Sequence, residues 1–348
     1  MANKKVLDSR RDLTKAQGIL LSIDFDYFVP TPAELPAEYR FSRMIHTPYG
    51  PKLLGSLFDY GHSEFQNAEI NDIIWRSRLV TMLAAGLHPQ DWLSADEGLI
   101  ASILAYFTNA KMQEGAKVYV ADSHAMARSV INAIVSGQRA PLLRLINIDA
   151  HGDVGYDDGR LQKEIDGKIS TAESWLFHAL HDKVVDSAYV YYPSWKGDVE
   201  ERHRKESRLF RRVTDRVFFN TGIIGTPACK GAYSGIFVCR SSAWTSPVSD
   251  AAFESFITQL RTAVAPNAPV IDLDQRYGTG RPSVLQRRSL DWEDLHNAAS
   301  IYAKAQNHDY NRPIAGTTRT PTVACEQDLA RREETLIDPD LQRSLGAL

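Results

Sequence analysis

Three short apolar runs in this chain each end in carboxylate and imidazole side chains: LLSIDFDYF near the amino end, VYVADSH, and LINIDAHGD. Runs this short and this rich in Val, Ile and Leu suit strands buried on both faces of a sheet. In open parallel sheets, ligands bind beyond the carboxyl ends of the strands. The runs therefore nominate Asp24 and Asp26, Asp122 and His124, and Asp149, His151 and Asp153 as groups that meet at one sheet edge. Residues two apart on a strand point the same way, so each D-x-D or D-x-H pair is expected to converge on one ion. Carboxylates crowded at strand ends are costly to bury without cations. Oxygen ligands mixed with imidazole suit manganese, iron or zinc and not a thiolate site.

The remaining pattern predicts an α/β domain spanning 1–348. A strand is expected over Gly18 to Phe28. After it, Pro30, Pro32, Pro36, Pro48 and Pro51 make 29–67 too proline-rich for regular structure and mark a working loop. Ile70, Ile73, Ile74 and Leu79 recur at helical spacing over 68–85, with Gly86 as the C-cap. Strands are then expected at 117–122, 142–149, 186–193 and 235–241. Helices are expected at 127–137, ended by Gly137, at 171–180, and on a segment faced by Phe253, Phe256, Ile257 and Leu260. Strands alternating with helices imply a mainly parallel sheet covered on both faces. The polar last forty residues, with one helical segment near EQDLARREETL, make 306–348 a flap or tail.

Composition excludes several classes. A chain of 348 residues, 43% apolar and 24% charged with net charge −3, is globular in character and not disordered. Its near-neutral balance argues against nucleic acid as its main partner. No apolar run reaches the roughly 18–20 residues of a membrane span, and MANKKVLDSRRDLTKAQ lacks the apolar core of a secretory signal. Cys229, Cys239 and Cys325 are odd in number and lack CxxC spacing, so reduced thiols in a cytoplasmic protein are expected.

IDAHGD resembles the DAHxD motif of the arginase–agmatinase–deacetylase superfamily, SIDFDYF resembles its second metal-binding D-x-D strand, and ADSH resembles the strand end that supplies a further histidine. The set VYVADSH, INIDAHGD, ESWLFHAL, YVYYPSW, FVCRSSAW and LSIDFDYF resembles more narrowly the UPF0489 family and its peptide arginases, which convert arginine side chains of ribosomally made peptides into ornithine. The similarity covers roughly residues 17–30 and 117–260. It implies a three-layer α/β/α arginase-like fold. In most relatives the D-x-D strand follows DAHxD, so its place at the amino end implies a permuted connection. It also implies two Mn2+ ions per subunit. One would be held by His124, Asp149, Asp153 and Asp24, the other by Asp149, His151, Asp24 and Asp26, with Asp149 and Asp24 bridging.

Cations sharing a water lower its pKa and supply a nucleophile strong enough for the delocalised guanidinium carbon. A carboxylate must also orient the guanidinium by paired hydrogen bonds. Glu173 is the candidate for that orientation or for proton transfer, its alternative being a helix N-terminal acid. Asp122 is expected to steer His124 or a neighbouring ligand. Free-arginine enzymes carry an Asn- and Ser/Thr-rich loop after DAHxD. Here VGYDDGRLQKEIDGK follows, an acidic loop expected to favour arginine within a precursor peptide. The expected activity is hydrolysis of peptidyl arginine to peptidyl ornithine and urea. Alternatives are an agmatinase-like or deacetylase-like C–N hydrolase, or a non-catalytic peptide-binding module. The oligomeric state is left open.

Weaker signals remain. Asp272 and Asp274 form a second D-x-D, ranked below Asp24 and Asp26 and otherwise a turn paired with Arg276 and Arg281. EERHRKESRLFRRVTDR (200–216) reads as a solvated helix, or as a dock for an acidic leader peptide on Arg208, Arg211, Arg212 and Arg216. Tyr189, Tyr191, Tyr192 and Trp195 read as core. His62, His88, His178, His181, His203, His296 and His308 read as structural or exposed.

Overall fold

The computed structural model describes residues 18–30, 44–47, 50–53, 68–84, 86–107, 110–136, 143–155, 157–195, 207–222, 232–264, 266–276 and 290–310. In chain order the strands are β1 (Gly18–Asp24), β2 (Met44–Thr47), β3 (Gly50–Leu53), β4 (Lys111–Ala121), β5 (Leu143–Ile148), β6 (Val185–Tyr192), β7 (Val217–Thr221), β8 (Ala232–Cys239) and β9 (Val270–Asp272). The helices are α1 (Ala68–Ala84), α2 (Pro89–Leu93), α3 (Glu97–Phe107), α4 (Ala127–Val135), α5 (Asp158–Gly167), α6 (Trp175–His181), α7 (Asp250–Val264), α8 (Leu273–Arg276) and α9 (Trp292–Tyr310).

Seven strands form one sheet in the order β7-β6-β5-β1-β8-β4-β9, and every neighbouring pair in it is parallel. β2 and β3 form a separate antiparallel pair. The amino-terminal strand thus takes the centre, between the DAHGD strand β5 and β8. All seven of its residues are buried, as a continuous apolar run requires in a parallel sheet. Its side chains alternate between two cores. Ile19, Leu21 and Ile23 meet Ile103 and Phe107 of α3 and Phe253, Phe256 and Leu260 of α7. Leu20 meets Val130 and Ile131 of α4 and Leu176 and Leu180 of α6. Helices therefore cover both faces, giving the three-layer α/β/α arrangement and mainly parallel sheet that the resemblance implied. Burying each of the large side chains contributes about 1.5–3 kcal/mol, and aromatic contacts add to it.

Several elements differ from expectation in ways that shape the site. The strand expected to run to Phe28 stops at Asp24, and Phe25–Phe28 wind into a 3-10 turn. The cause is packing: Phe25 lies 5.1 Å edge-on to Phe253, and Phe28 lies 4.9 Å from Phe256. Two aromatics three residues apart can both bury on α7 only if the chain coils between them. The acidic loop expected after DAHGD is largely the helix α5, opened by Asp157, whose side chain accepts the Arg160 N–H at 2.7 Å. Its acids are engaged within the fold. Asp158 accepts from Ser207 Oγ and from the Arg208 and Leu209 N–H groups. Buried Glu164 meets His178, Arg160 and Thr171.

Within 200–216 the described part is not the solvated helix expected. Residues 210–212 and 214–216 form short 3-10 turns that bury Leu209, Phe210 and Val213. The helix expected at 171–180 begins only at Trp175.

Contacts divide the chain into two units, 1–303 and 304–348, and of the second only the end of α9 is described. Most of the segments expected as flaps, 29–67 and 306–348, lies outside the described residues, as do Gly137, Cys229 and Cys325. Cys239 is buried and free. Among the described residues no helix is long and apolar enough to cross a membrane.

Candidate metal centre

The ends of β1, β5 and β4 deliver six side chains to one place, though not by the strand alternation expected. Asp24 closes β1 and caps the turn after it, its Oδ1 accepting the Asp26 N–H at 3.3 Å. Asp26 sits inside that turn. Its Oδ1 accepts the Ala150 N–H at 3.3 Å, which ties the β1 end to the β5 end.

Beyond β5 the chain turns sharply. Asp149 Oδ1 accepts the His151 N–H at 2.6 Å, and Asp149 Oδ2 accepts from Asn147 Nδ2 at 3.0 Å. Asp153 adopts a left-handed backbone, φ 51°, a conformation a non-glycine residue rarely holds and one that clusters at functional sites. It is fixed there by α6, whose Leu176 N–H donates to the Asp153 carbonyl at 3.0 Å, and by the Trp175 indole, which donates to Asp153 Oδ2 at 2.6 Å. Gly155, φ 76°, completes the bend. His124 stands on a 3-10 turn after β4, capped by Ser123, with its ring between Trp175 (4.9 Å) and Phe237 (5.7 Å).

These side chains fall into two clusters that share Asp149: Asp24, His124 and Asp149, and Asp26, Asp149 and His151. In the inner one, His124 Nδ1 lies 3.0 Å from Asp24 Oδ2, 3.1 Å from Asp149 Oδ2 and 2.9 Å from Asp153 Oδ2. In the outer one, His151 Nδ1 lies 2.7 Å from Asp26 Oδ2 and 3.7 Å from Asp149 Oδ1. Asp149 thus turns one oxygen to each. The His124 side chain is 3% exposed and that of His151 25%, so solvent reaches the pair from the outer side. Trp244 packs there, its ring 4.6 Å from His151.

Two buried atoms test whether cations fit. His124 Nδ1 and Asp26 Oδ2 make no hydrogen bond, although each has oppositely polar atoms about it at contact distance. Lone pairs converging without a proton placed between them suit a cation, and the oxygen-rich donor set suits a hard or borderline divalent ion.

Crowding of charge shifts the protonation of the cluster. Burial and the neighbouring Asp26 raise the Asp24 pKa to about 7. Burial and Asp149 hold Asp153 well above the usual carboxylate range. Burial opposes charge on His124, but Asp153 and Asp24 outweigh it and raise its pKa well above the usual value. Asp149 goes the other way: burial would raise it, but the adjoining His124 and His151 imidazoles pull it well below. Metal binding at such a cluster releases protons.

The two residues expected to act in catalysis, Asp122 and Glu173, are not members of these two clusters. The Asp122 carboxylate accepts from Ser242 Oγ at 2.5 Å, and its N–H donates to Asp274 Oδ2 at 2.8 Å. Asp122 is expected to steer His124 or a neighbouring ligand, and these contacts run toward Asp24. Ser242 lies in the turn whose Ser241 Oγ donates to Asp24 Oδ2 at 3.1 Å, so Asp122 braces the support of Asp24. Glu173 Oε2 accepts from Arg160 Nη1 at 3.0 Å, and its carbonyl accepts the Gly155 N–H at 2.8 Å. Asp272 and Asp274 lie at the edge strand, with Arg276 and Arg281 outside the described side chains.

Sequence reading missed Ser22, Asn147, Trp175, Ser241 and Trp244. Ser22 and Asn147 could have been found, since each is the polar interruption of an apolar strand two residues before a nominated aspartate. Nothing local marks the others. Trp195, read as core, is half-buried and donates from its indole to the Tyr27 carbonyl at 3.2 Å.

No protein-family model, curated protein or solved structure matches this chain. Fold and site together define a class: an α/β/α protein with two His/Asp clusters at one sheet edge, able to hold divalent ions in the manner of ureohydrolases.

Proposed function

We propose that this protein is a peptide arginase, hydrolysing arginine side chains of a ribosomally made precursor peptide to ornithine and urea, in the cytoplasm. The observation that supports a two-ion hydrolase best is Asp149, buried and offering one oxygen to each cluster. In this reading His124, Asp24, Asp149 and Asp153 hold the inner ion, and Asp26, Asp149, His151 and Asp24 hold the outer one. Manganese is the proposed ion because carboxylate oxygens dominate the set. Two such ions supply the positive charge that makes water a nucleophile at neutral pH.

The chain's own residues do the rest. The substrate approaches on the His151 side, since that is where the cluster meets solvent. Glu173 orients the guanidinium through paired hydrogen bonds; it already binds one guanidinium, that of Arg160, which the substrate would displace. Water adds to the guanidinium carbon, the C–N bond to the side chain breaks, and the departing nitrogen takes a proton, leaving a peptidyl ornithine ammonium and urea. A peptide substrate, not free arginine, is favoured because VGYDDGRLQKEIDGK after DAHGD holds no Asn, Ser or Thr to bind an α-carboxylate.

The test is direct. Manganese-loaded protein incubated with arginine-containing peptides should release urea and convert arginine to ornithine by mass. Acetate release from an acetyl-lysine peptide would instead assign a deacetylase. Equal turnover of free L-arginine would remove the peptide preference, and no stoichiometric metal would leave a binding module.

A further inference from the structure

We propose that Ser22 is a positioning residue: its hydroxyl decides which nitrogen of His124 faces the ions, and so whether the inner position fills. The proposal rests on the two-ion reading above.

A neutral imidazole offers a lone pair on one nitrogen only when its proton sits on the other. At His124 the two nitrogens have distinct surroundings. Nδ1 points among the oxygens of Asp24, Asp149 and Asp153 without a hydrogen bond, while Nε2 lies 2.9 Å from Ser22 Oγ. A proton on Nε2, donated to Ser22, leaves the Nδ1 lone pair for a cation. Ser22 is fully buried on the central strand, in register between Asn147 of β5 and Phe237 of β8. It stands two residues before Asp24, on the same side of β1. Trp175 and Phe237 flank the imidazole and limit its tilt toward any other acceptor.

Without the hydroxyl, an Nε2 proton would be buried with nothing to receive it, a cost that favours moving the proton to Nδ1. There it would bond the carboxylates and compete with the ion. His151 stands differently: a quarter exposed, it has solvent available, so the outer ion should not depend on Ser22.

Ser22→Thr and Ser22→Val have nearly the same shape and differ by the hydroxyl, so a packing effect strikes both and a hydrogen-bond effect only the second. Manganese is titrated into metal-free full-length protein, followed by calorimetry and electron paramagnetic resonance. Wild type and Ser22→Thr should take two ions and give a spin-coupled pair. Ser22→Val should bind the outer ion unchanged but the inner one about 10–100-fold more weakly, leaving a mononuclear signal where wild type shows the pair. If Ser22→Val titrates like Ser22→Thr, the proposal is overturned. If wild type itself binds no manganese pair, it is the two-ion reading that fails.

Discussion

Among the described residues the same four-residue pattern, Ile-Asp-x-Asp, occurs twice, at 23–26 and at 271–274. Both copies end a strand and close the same local turn. Asp24 Oδ1 accepts the Asp26 N–H at 3.3 Å, and Asp272 Oδ1 accepts the Asp274 N–H at 3.0 Å. A helical turn follows each at once. Their fates differ because their strands do. β1 lies between β5 and β8, whose ends bring Asp149 and Ser241 to Asp24. β9 is the outermost strand beside β4, and there Asp274 Oδ2 accepts the Asp122 backbone N–H. Local sequence dictates the turn, and place in the sheet dictates what its carboxylates can do.

Alanine at the two leading aspartates tests this most severely. Asp24→Ala should empty the inner position and abolish urea release, because it removes a ligand proposed for both ions. Asp272→Ala should leave two ions bound and turnover within about twofold, as for a residue outside the reacting cluster. Metal content after gel filtration and a urea assay read both. Equal losses in the two variants would break the contrast.

A second large effect is expected with pH. Asp24 is raised to about 7 without ions, and Asp153 and His124 are raised as well. Each raised group favours its protonated form in the fold. It contributes stability below its unfolded pKa and loses it as pH climbs through the folded value. Asp149 is lowered, and its contribution fades only as pH falls below the ordinary carboxylate range, outside this window. Metal-free protein should therefore lose stability from about pH 4 to pH 7 as Asp24 titrates, whereas loaded protein keeps it. The gap between the two melting temperatures should widen over that interval, and Asp24→Asn should narrow it. A gap that shrinks as pH rises would mean that the cluster does not carry these protons.

The contrast also shows what could be read from sequence. Apolar runs ending in acid and imidazole located the site, because burial of a strand and polarity at its end are both written in consecutive residues. The parallel sheet followed from alternation. What escaped was set by distant partners. Asp26 was expected on a strand, but Phe25 and Phe28 coil it to reach Phe253 and Phe256 of α7, each a partner far along the chain in no local pattern. The acids of 157–166 looked like a repelling loop, yet Asp158 is claimed by Ser207 and Glu164 by His178. Asp122 is expected to steer His124 or a neighbouring ligand, whereas the hydroxyl 2.9 Å from His124 Nε2, that of Ser22 on the central strand, carried no signal that was read.

Glu173→Gln probes the proposed substrate carboxylate more gently. Both ions should stay bound, since Glu173 belongs to neither ligand cluster, while turnover of an arginine peptide falls by about 10–100-fold as a charge-assisted bond weakens. Full turnover would remove Glu173 from the reaction.

The smallest effect sharpens the comparison most. Asp274→Ala leaves the buried Asp122 N–H without its acceptor and should cost about 1–3 kcal/mol of unfolding free energy, read by urea denaturation. Asp274→Asn keeps an amide oxygen that can accept and should cost less. If the edge copy is structural only, manganese affinity stays put in both variants. A relay does connect the copies: Asp274 holds Asp122, Asp122 holds Ser242, and the neighbouring Ser241 holds Asp24. Should affinity at the inner position fall along with stability, that relay transmits strain across β4 and β8. The edge D-x-D would then be a brace for the central one and not merely its lookalike.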